Sequence, residues 1–402
     1  MNKGSSIFSF FAGSGFLDLG FELSSFDITY VSEIHSPFME AYRYSRQCLK
    51  LPSPRYGYHA GEEADINRLT EGKQSQRLWE LVQDCRQTSE FVGFIGGPPC
   101  PDFSVGGKNR GREGDNGKLS ACYVELICQQ QPDFFLFENV KGLWITKKHR
   151  SFFEQLKYKL VEAGYVLTER LINALEYGVP QDRDRIILIG FKNSLIHDLG
   201  IKIINKQHPL SGFLKWDKHT VSSKSKVFSY PWPTTNPFRE DASIPCPGGI
   251  PQDLTVEYWF KNNDVLNHPN AEHFFKPRAG IKRFESVDEG DDSKKSYKRL
   301  HRWRYSPTAC YGNNEVHLHP YKVRRLSVAE ALAIQSLPKN FALPDHLSLT
   351  NMFKTIGNGV PYLASKALAL TIADFLETSQ WQSPYYPKME QLDLPLTFEA
   401  MT

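Results

Sequence analysis

Between residues 7 and 189, short apolar runs alternate with amphipathic segments, and that rhythm leaves few folds open to the chain. The runs at 7–11, 28–31, 91–95, 134–137, 166–171 and 186–189 read as strands. Helical spacing covers 16–23, 37–46, 75–86, 119–130 and 150–163 between them. A strand that is apolar throughout is buried on both faces, and a helix returning between two strands makes them parallel. The pattern therefore predicts an α/β fold, a Rossmann-like sheet with helices on both faces.

The rhythm stops after Gly190. From there to about Tyr321 the chain is rich in Pro, His, aromatic and charged residues, with turn sequences such as Pro247-Gly248-Gly249. Helical spacing resumes at 326–337, closed by Pro338, and again at 361–376. The expected division is a larger domain over 1–190, completed by 356–378, a smaller irregular domain over 191–355, and a peripheral tail over 379–402. Lys+Arg 48 against Asp+Glu 45 names no partner, although cations cluster between 276 and 304. Seven cysteines without a Cys-x-x-Cys pair fit neither a disulfide framework nor a zinc cluster, and suit a reducing compartment. No run is expected to reach the length of a membrane span, and the first residues carry no apolar signal region. The expectation is a cytoplasmic, soluble protein.

Four segments carry chemistry. Gly96-Gly97-Pro98-Pro99-Cys100 leaves an apolar strand on a stiff turn, where little freedom remains to be lost when the thiol is aimed. The strand at 7–11 ends in Ala12-Gly13-Ser14-Gly15, a Gly-x-Gly turn opening a helix. Its amides suit a ligand, and Glu33 at the end of the next strand suits ribose hydroxyls. Phe134-Phe135-Leu136-Phe137 ends in Glu138, and a carboxyl leaving an all-apolar strand needs work or a partner. In Gln181-Asp182-Arg183-Asp184-Arg185, alternation predicts both guanidiniums on one face, facing a carbonyl, phosphate or carboxylate, or else salt-bridging to Asp182 and Asp184 on the surface. His317-Leu318-His319 reads as strand residues, and no metal site is expected.

In this order, the Pro-Pro-Cys, Glu-Asn-Val and Gln-x-Arg-x-Arg elements resemble the cytosine-5 DNA methyltransferases. The likeness runs from Phe8 to Gly190 and resumes from Arg324 to Ser365. It implies that Cys100 is a nucleophile adding to C6 of cytosine, that Glu138 holds the N3 edge, that Arg185 holds O2, and that Arg183 supports the cysteine turn. The implied cofactor is S-adenosylmethionine, leaving as S-adenosylhomocysteine. Phe11, Gly13, Gly15, Glu33, Asp65, Ile66, Pro99, Leu119, Asn358 and Val360 would form its pocket. The implied partner is double-stranded DNA with the target base flipped out. Ser104, Lys108, Arg110 and Arg112 in a Gly-rich loop, and Arg302 and Arg304 in an aromatic-cation run, would contact that DNA. The length resembles that of a bacterial restriction-modification methylase acting as a monomer, with a restriction endonuclease acting on the same site as a further partner. Pro101-Asp102 stands where many relatives carry Gln after the nucleophile. Methylation of RNA and a non-catalytic DNA-binding role are the competing readings.

Overall fold

The computed structural model describes residues 4–99, 115–203, 205, 207–277, 281–294, 296–309, 311 and 316–377. Seven strands form one sheet: β1 (Ser5–Phe10), β2 (Phe26–Glu33), β3 (Tyr58–Ala60), β4 (Val92–Gly96), β5 (Phe134–Val140), β6 (Tyr165–Asn173) and β7 (Asp184–Lys192). Their spatial order is β3-β2-β1-β4-β5-β7-β6. The pairs from β3 through β5 are parallel, and β7 runs antiparallel to both β5 and β6.

The first half contributes α1 (Phe16–Glu22), α2 (Ser36–Cys48), α3 (Ile66–Leu69), α4 (Gly72–Thr88), α5 (Asp115–Gln130), α6 (Lys141–Ile145), α7 (Lys147–Glu162) and α8 (Asn193–Asp198). The second contributes the short α9 (Lys224–Ser229), α10 (Val256–Asn262), α11 (Ile281–Glu285) and α12 (Val328–Ile334), then α13 (Leu349–Asn358) and α14 (Tyr362–Glu377).

Alternation along the strands splits the apolar residues between two layers. Ile7, Ile95, Phe134, Leu136, Ile187 and Ile189 pack with α1, α2, α8 and α14 on one face. Phe8, Phe94, Phe135, Phe137, Ile186 and Leu188 pack with α4, α5 and α7 on the other. A third core joins α10, α12 and α13 to Phe16, Leu19 and Ala41 of the first half. Ser327 and Glu330 form the reciprocal cap that opens α12, as their spacing predicts.

Two features depart from the sequence reading. β3 is a three-residue edge strand, Tyr58-His59-Ala60, with no apolar run to announce it. Contrary to expectation, the segment Leu349–Glu377 is apolar and long enough to cross a membrane. It is broken into α13 and α14 at Gly359-Val360-Pro361, and α14 packs on α1 as part of the core.

The chain moves outward from β1 to β2 and β3, then returns to the other side of β1 with β4. At such a reversal the loops leaving the carboxyl ends of β1 and β4 diverge and open a crevice. The turn of residues 12–15 and Glu33 stand at that rim.

Candidate active site

The turn after β1 is held in one conformation. Phe11 leaves the strand at φ 54°, Gly13 and Gly15 follow at φ 57° and 78°, and only glycine adopts such angles without strain. The Gly13 amide donates to Glu33 Oε2 at 2.8 Å, and the His35 amide donates to Glu33 Oε1 at 2.8 Å. Burial raises the Glu33 carboxyl above its ordinary range, and these two amides oppose the shift. Each carboxylate oxygen keeps a lone pair for a hydroxyl donor. On the far side, Ser14 Oγ and Thr355 Oγ1 lie 2.7 Å apart, tying the turn to α13.

The other expected cofactor residues are dispersed around this turn. The Phe11 ring meets Tyr123 edge-on at 5.9 Å. Asp65 caps α3 by accepting from the Asn67 amide at 3.0 Å, and the Ile66 side chain is core. Pro99 and Leu119 are half-buried. Asn358 is exposed at the end of α13, while Val360 is buried against α14. Sequence reasoning missed Ile34, which follows Glu33 and leaves 55% of its apolar surface exposed at the rim. A strand-end residue beside a proposed ribose ligand was the available signal.

Glu138 and Arg185 meet across the β5–β7 pairing. Glu138 lies opposite Ile187 and Val140 opposite Arg185, so Glu138 and Arg185 are diagonal neighbours on one face. Arg185 Nε donates to Glu138 Oε1 at 2.8 Å, with both side chains largely buried. The other oxygen faces the strap leaving β4, since a Cβ built on Gly97 would stand 2.7 Å from Glu138 Oε2. Asn139 Nδ2 donates to the Pro98 carbonyl at 3.4 Å, binding the same strap to the end of β5. This strap leads directly into Cys100. Cys100 itself, like Ser104, Lys108, Arg110 and Arg112, lies outside the described residues.

Arg183 parts company with Arg185. Its guanidinium, 1% exposed, donates to the carbonyls of Ala309 at 3.0 Å, Gly357 at 2.9 Å and Gly359 at 3.0 Å. Gln181, also fully buried, accepts from the Ala309 amide at 3.2 Å and donates to Gln335. The segment before β7 thus stitches the first half of the chain to residues 306–309 and to the α13–α14 junction. The expectation that both guanidiniums face one ligand is corrected, because three backbone carbonyls accept from Arg183 on the other side.

Arg302 does not fit its expected place on DNA. It is 5% exposed, and its Nε and Nη2 donate to the two oxygens of Glu289 at 2.8 Å each. Nη1 donates to the Ala242 carbonyl at 2.6 Å, and the guanidinium lies 4.2 Å from the Tyr321 ring centre. Every face of the cation is spent inside the protein. Arg304, two residues on, is half-buried over Tyr305. His317 and His319 are buried strand-like residues, with His319 Nε2 3.4 Å from Glu330.

A seven-stranded sheet in this order, with its antiparallel seventh strand, a glycine turn and an acidic strand end at the reversal point, defines a Rossmann-like methyltransferase. A family model described as C-5 cytosine-specific DNA methylase matches residues 5–374. The chain is 56% identical over 375 residues to Type II methyltransferase M.NmeDI of Neisseria meningitidis serogroup C, covering 93% of this chain and 85% of that one. It is 28% identical to Type II methyltransferase M.NgoPII of Neisseria gonorrhoeae, covering 92% and 96%. Among solved structures, Dnmt2 proteins of Spodoptera frugiperda and S. pombe share the fold at TM-scores of 0.54 and 0.52. Their identities are 16% and 14%; the matches span 93% and 92% of this chain, and 100% and 98% of theirs. The chain belongs to the C-5 cytosine-specific DNA methylase family and is a DNA (cytosine-5) methyltransferase.

Proposed function

We propose that this enzyme methylates C5 of one cytosine within a short sequence of duplex DNA, through a covalent bond between Cys100 and C6 of a flipped-out base. The observation that carries the proposal is the Glu138–Arg185 pair beside the Gly97-Pro98-Pro99 strap that delivers Cys100.

The crevice suits S-adenosylmethionine. Glu33 offers carboxylate lone pairs for ribose hydroxyls, Ile34 and Phe11 offer apolar surface for a base, and the Gly13-Ser14-Gly15 turn leaves no side chain at its two glycines. Asp65, Ile66, Pro99, Leu119, Asn358 and Val360 complete the proposed pocket. When bound, this cofactor supplies an electrophilic methyl group on a sulfonium and leaves as S-adenosylhomocysteine.

The chain's own residues prepare the base. C5 of cytosine is a poor nucleophile, and addition of the Cys100 thiolate to C6 moves electron density onto C5 and N3. Glu138 holds a proton at N3 through the oxygen that faces Gly97, while Arg185 fixes the other oxygen and reaches the base carbonyl O2. Arg183 acts at a distance, holding Ala309 and the α13–α14 junction to the segment before β7. Loss of the C5 proton and expulsion of the thiolate then restore the ring. Unstacking the target costs a few kcal/mol. Lys108, Arg110, Arg112, Ser104 and Arg304 supply the proposed phosphate and groove contacts. Arg302 is withdrawn from that set.

The setting follows from the relatives' names. We assign the chain to a type II restriction-modification system in a bacterial cytoplasm, acting as a monomer alongside an endonuclease of the same site. Residues 1–190 with 356–378 form the proposed catalytic domain, 191–355 the recognition domain, and 379–402 a peripheral tail.

Duplex DNA carrying 5-fluorocytosine tests the chemistry. With S-adenosylmethionine present, C5 gains the methyl group but fluorine cannot leave as a proton, so a denaturation-resistant protein–DNA adduct forms with the wild type and is absent with Cys100→Ala. Adduct formation by Cys100→Ala, or none with the wild type on duplexes that it methylates, overturns the covalent mechanism.

A further inference from the structure

The turn of residues 12–15 rests on a buried polar cluster that no sequence motif announces. Arg46 of α2, 1% exposed, donates through Nη2 to the Gly15 carbonyl at 2.8 Å. The same carbonyl accepts the Leu19 amide at 3.0 Å, so both of its lone pairs are engaged. Arg46 also pairs with Glu22 at 2.8 Å and lies 4.1 Å from the Tyr42 ring centre. Tyr42 donates to Asp18 Oδ2 at 2.9 Å, and Ser9 donates to Asp18 Oδ1 at 2.9 Å. The cluster therefore locks β1, α1 and α2 to one another. The turn sits hard against it, since a Cβ on Gly15 would collide with Tyr42 and stand 2.7 Å from the Arg46 guanidinium.

Two buried carboxylates lie in this cluster with one guanidinium, which pairs with Glu22 alone, and burial raises the pKa of both Asp18 and Glu22. An apolar cluster of the same volume would hold the helices together at least as well. A buried ionic group is a weak stabiliser and a strong geometric constraint, which points to a positioning task. Of the groups that hold the turn, Glu33 faces the crevice and Thr355 comes from α13. Arg46 grips the turn from below.

We propose that Arg46 is a positioning residue of the cofactor site, fixing the Gly15 carbonyl, and with it the backbone of the 12–15 turn, in the arrangement that receives the methionine part of the cofactor. The inference rests on the S-adenosylmethionine reading above. Arg46 is buried away from the crevice, so its effect passes through the turn.

The test is calorimetric titration of S-adenosylhomocysteine into the full chain, as wild type, Arg46→Lys, and the double variant Glu22→Gln/Arg46→Met. Removing one carboxylate together with the cation limits the buried charge left behind, and Arg46→Lys keeps a charge for folding. The double variant is expected to bind about ten- to a hundredfold more weakly, since a hydrogen bond from a charged donor is lost. Arg46→Lys falls between it and the wild type. Turnover at saturating cofactor stays within about twofold, because the reacting groups are untouched. Without ligand, amide exchange at Leu19 accelerates in both variants. Folded variants that bind as the wild type does, whatever their melting temperatures, overturn the inference alone. Failure of the wild type itself to bind overturns the cofactor reading beneath it and the inference with it.

Discussion

Replacing Arg302 with Met separates a structural arginine from a DNA contact. The change removes two donors from Glu289, which is 2% exposed, and one from the Ala242 carbonyl. Breaking a buried pair by deleting one partner costs about 3–5 kcal/mol, because the remaining carboxylate stays buried without its charge partner. The Arg302 amide still donates to Glu289 Oε1 at 2.9 Å, which places the loss at the lower end, about 3 kcal/mol. An unfolding entropy of about 2.1 cal/mol/K per residue gives roughly 0.8 kcal/mol/K for 402 residues, and hence a melting temperature lowered by about 4 °C if the chain unfolds as one unit. Differential scanning calorimetry reads this drop. DNA binding by the folded protein, followed by anisotropy across a salt series, keeps the wild-type slope for Arg302→Met and loses about one unit of slope for Arg304→Met. An unchanged melting temperature together with weakened, less salt-dependent binding for Arg302→Met would refute the reasoning and return Arg302 to the DNA surface.

Gly97→Ala places a Cβ 2.7 Å from Glu138 Oε2, so the carboxylate must move while the fold stays. Turnover is expected to fall by about a hundredfold, as for an ångström-scale misplacement, with the melting temperature little changed; full activity would show that Glu138 has room to yield. Burial pushes the His301 imidazole down to about 4 and the His317 imidazole down to about 3, from an ordinary 6.5. Both are neutral in the folded state, so the unfolded chain alone takes up protons as pH falls below about 6.5. Each histidine then costs about 1.4 kcal/mol per pH unit, and the two together contribute a loss of about 4 kcal/mol in denaturant unfolding between pH 7.5 and pH 5. His317→Phe should remove about half of that slope. A pH dependence left unchanged by His317→Phe contradicts the burial argument, since the raised Asp18, Glu22 and Glu33 carboxyls act in the opposite direction in both proteins.

The sheet was legible because alternate strand residues face two different helical layers, so apolar runs such as 134–137 could not be loops. Tyr58-His59-Ala60 gave no such signal; it becomes a strand only because the edge of β2 offers it partners. The α13 helix was overlooked although Ser348 accepts from the Asn351 amide as its cap, and Met352, Phe353 and Ile356 repeat at helical spacing. Glu138 and Arg185 could be proposed singly from their strands, but their meeting depends on the register of two strands about fifty residues apart in sequence. Arg302 was misread because a cation among aromatics looks alike whether it faces solvent or a buried carboxylate. The partner that decides the matter, Glu289, stands in a run that reads as a solvated acidic patch. Arg46 was hidden for the same reason, three residues after the exposed Arg43 in a helix that mixes aromatics and cations.

The central claim is methyl transfer to C5 of cytosine in DNA with Cys100 as the nucleophile. Incubation of duplex DNA with the enzyme and methyl-labelled S-adenosylmethionine, followed by base-resolution mapping beside a Cys100→Ala control and a parallel transfer-RNA reaction, tests it directly. The account predicts 5-methylcytosine at one position of a single short recurring DNA sequence, with no label in RNA and none from the control. Label confined to RNA, no transfer to DNA, or undiminished transfer by Cys100→Ala would contradict it.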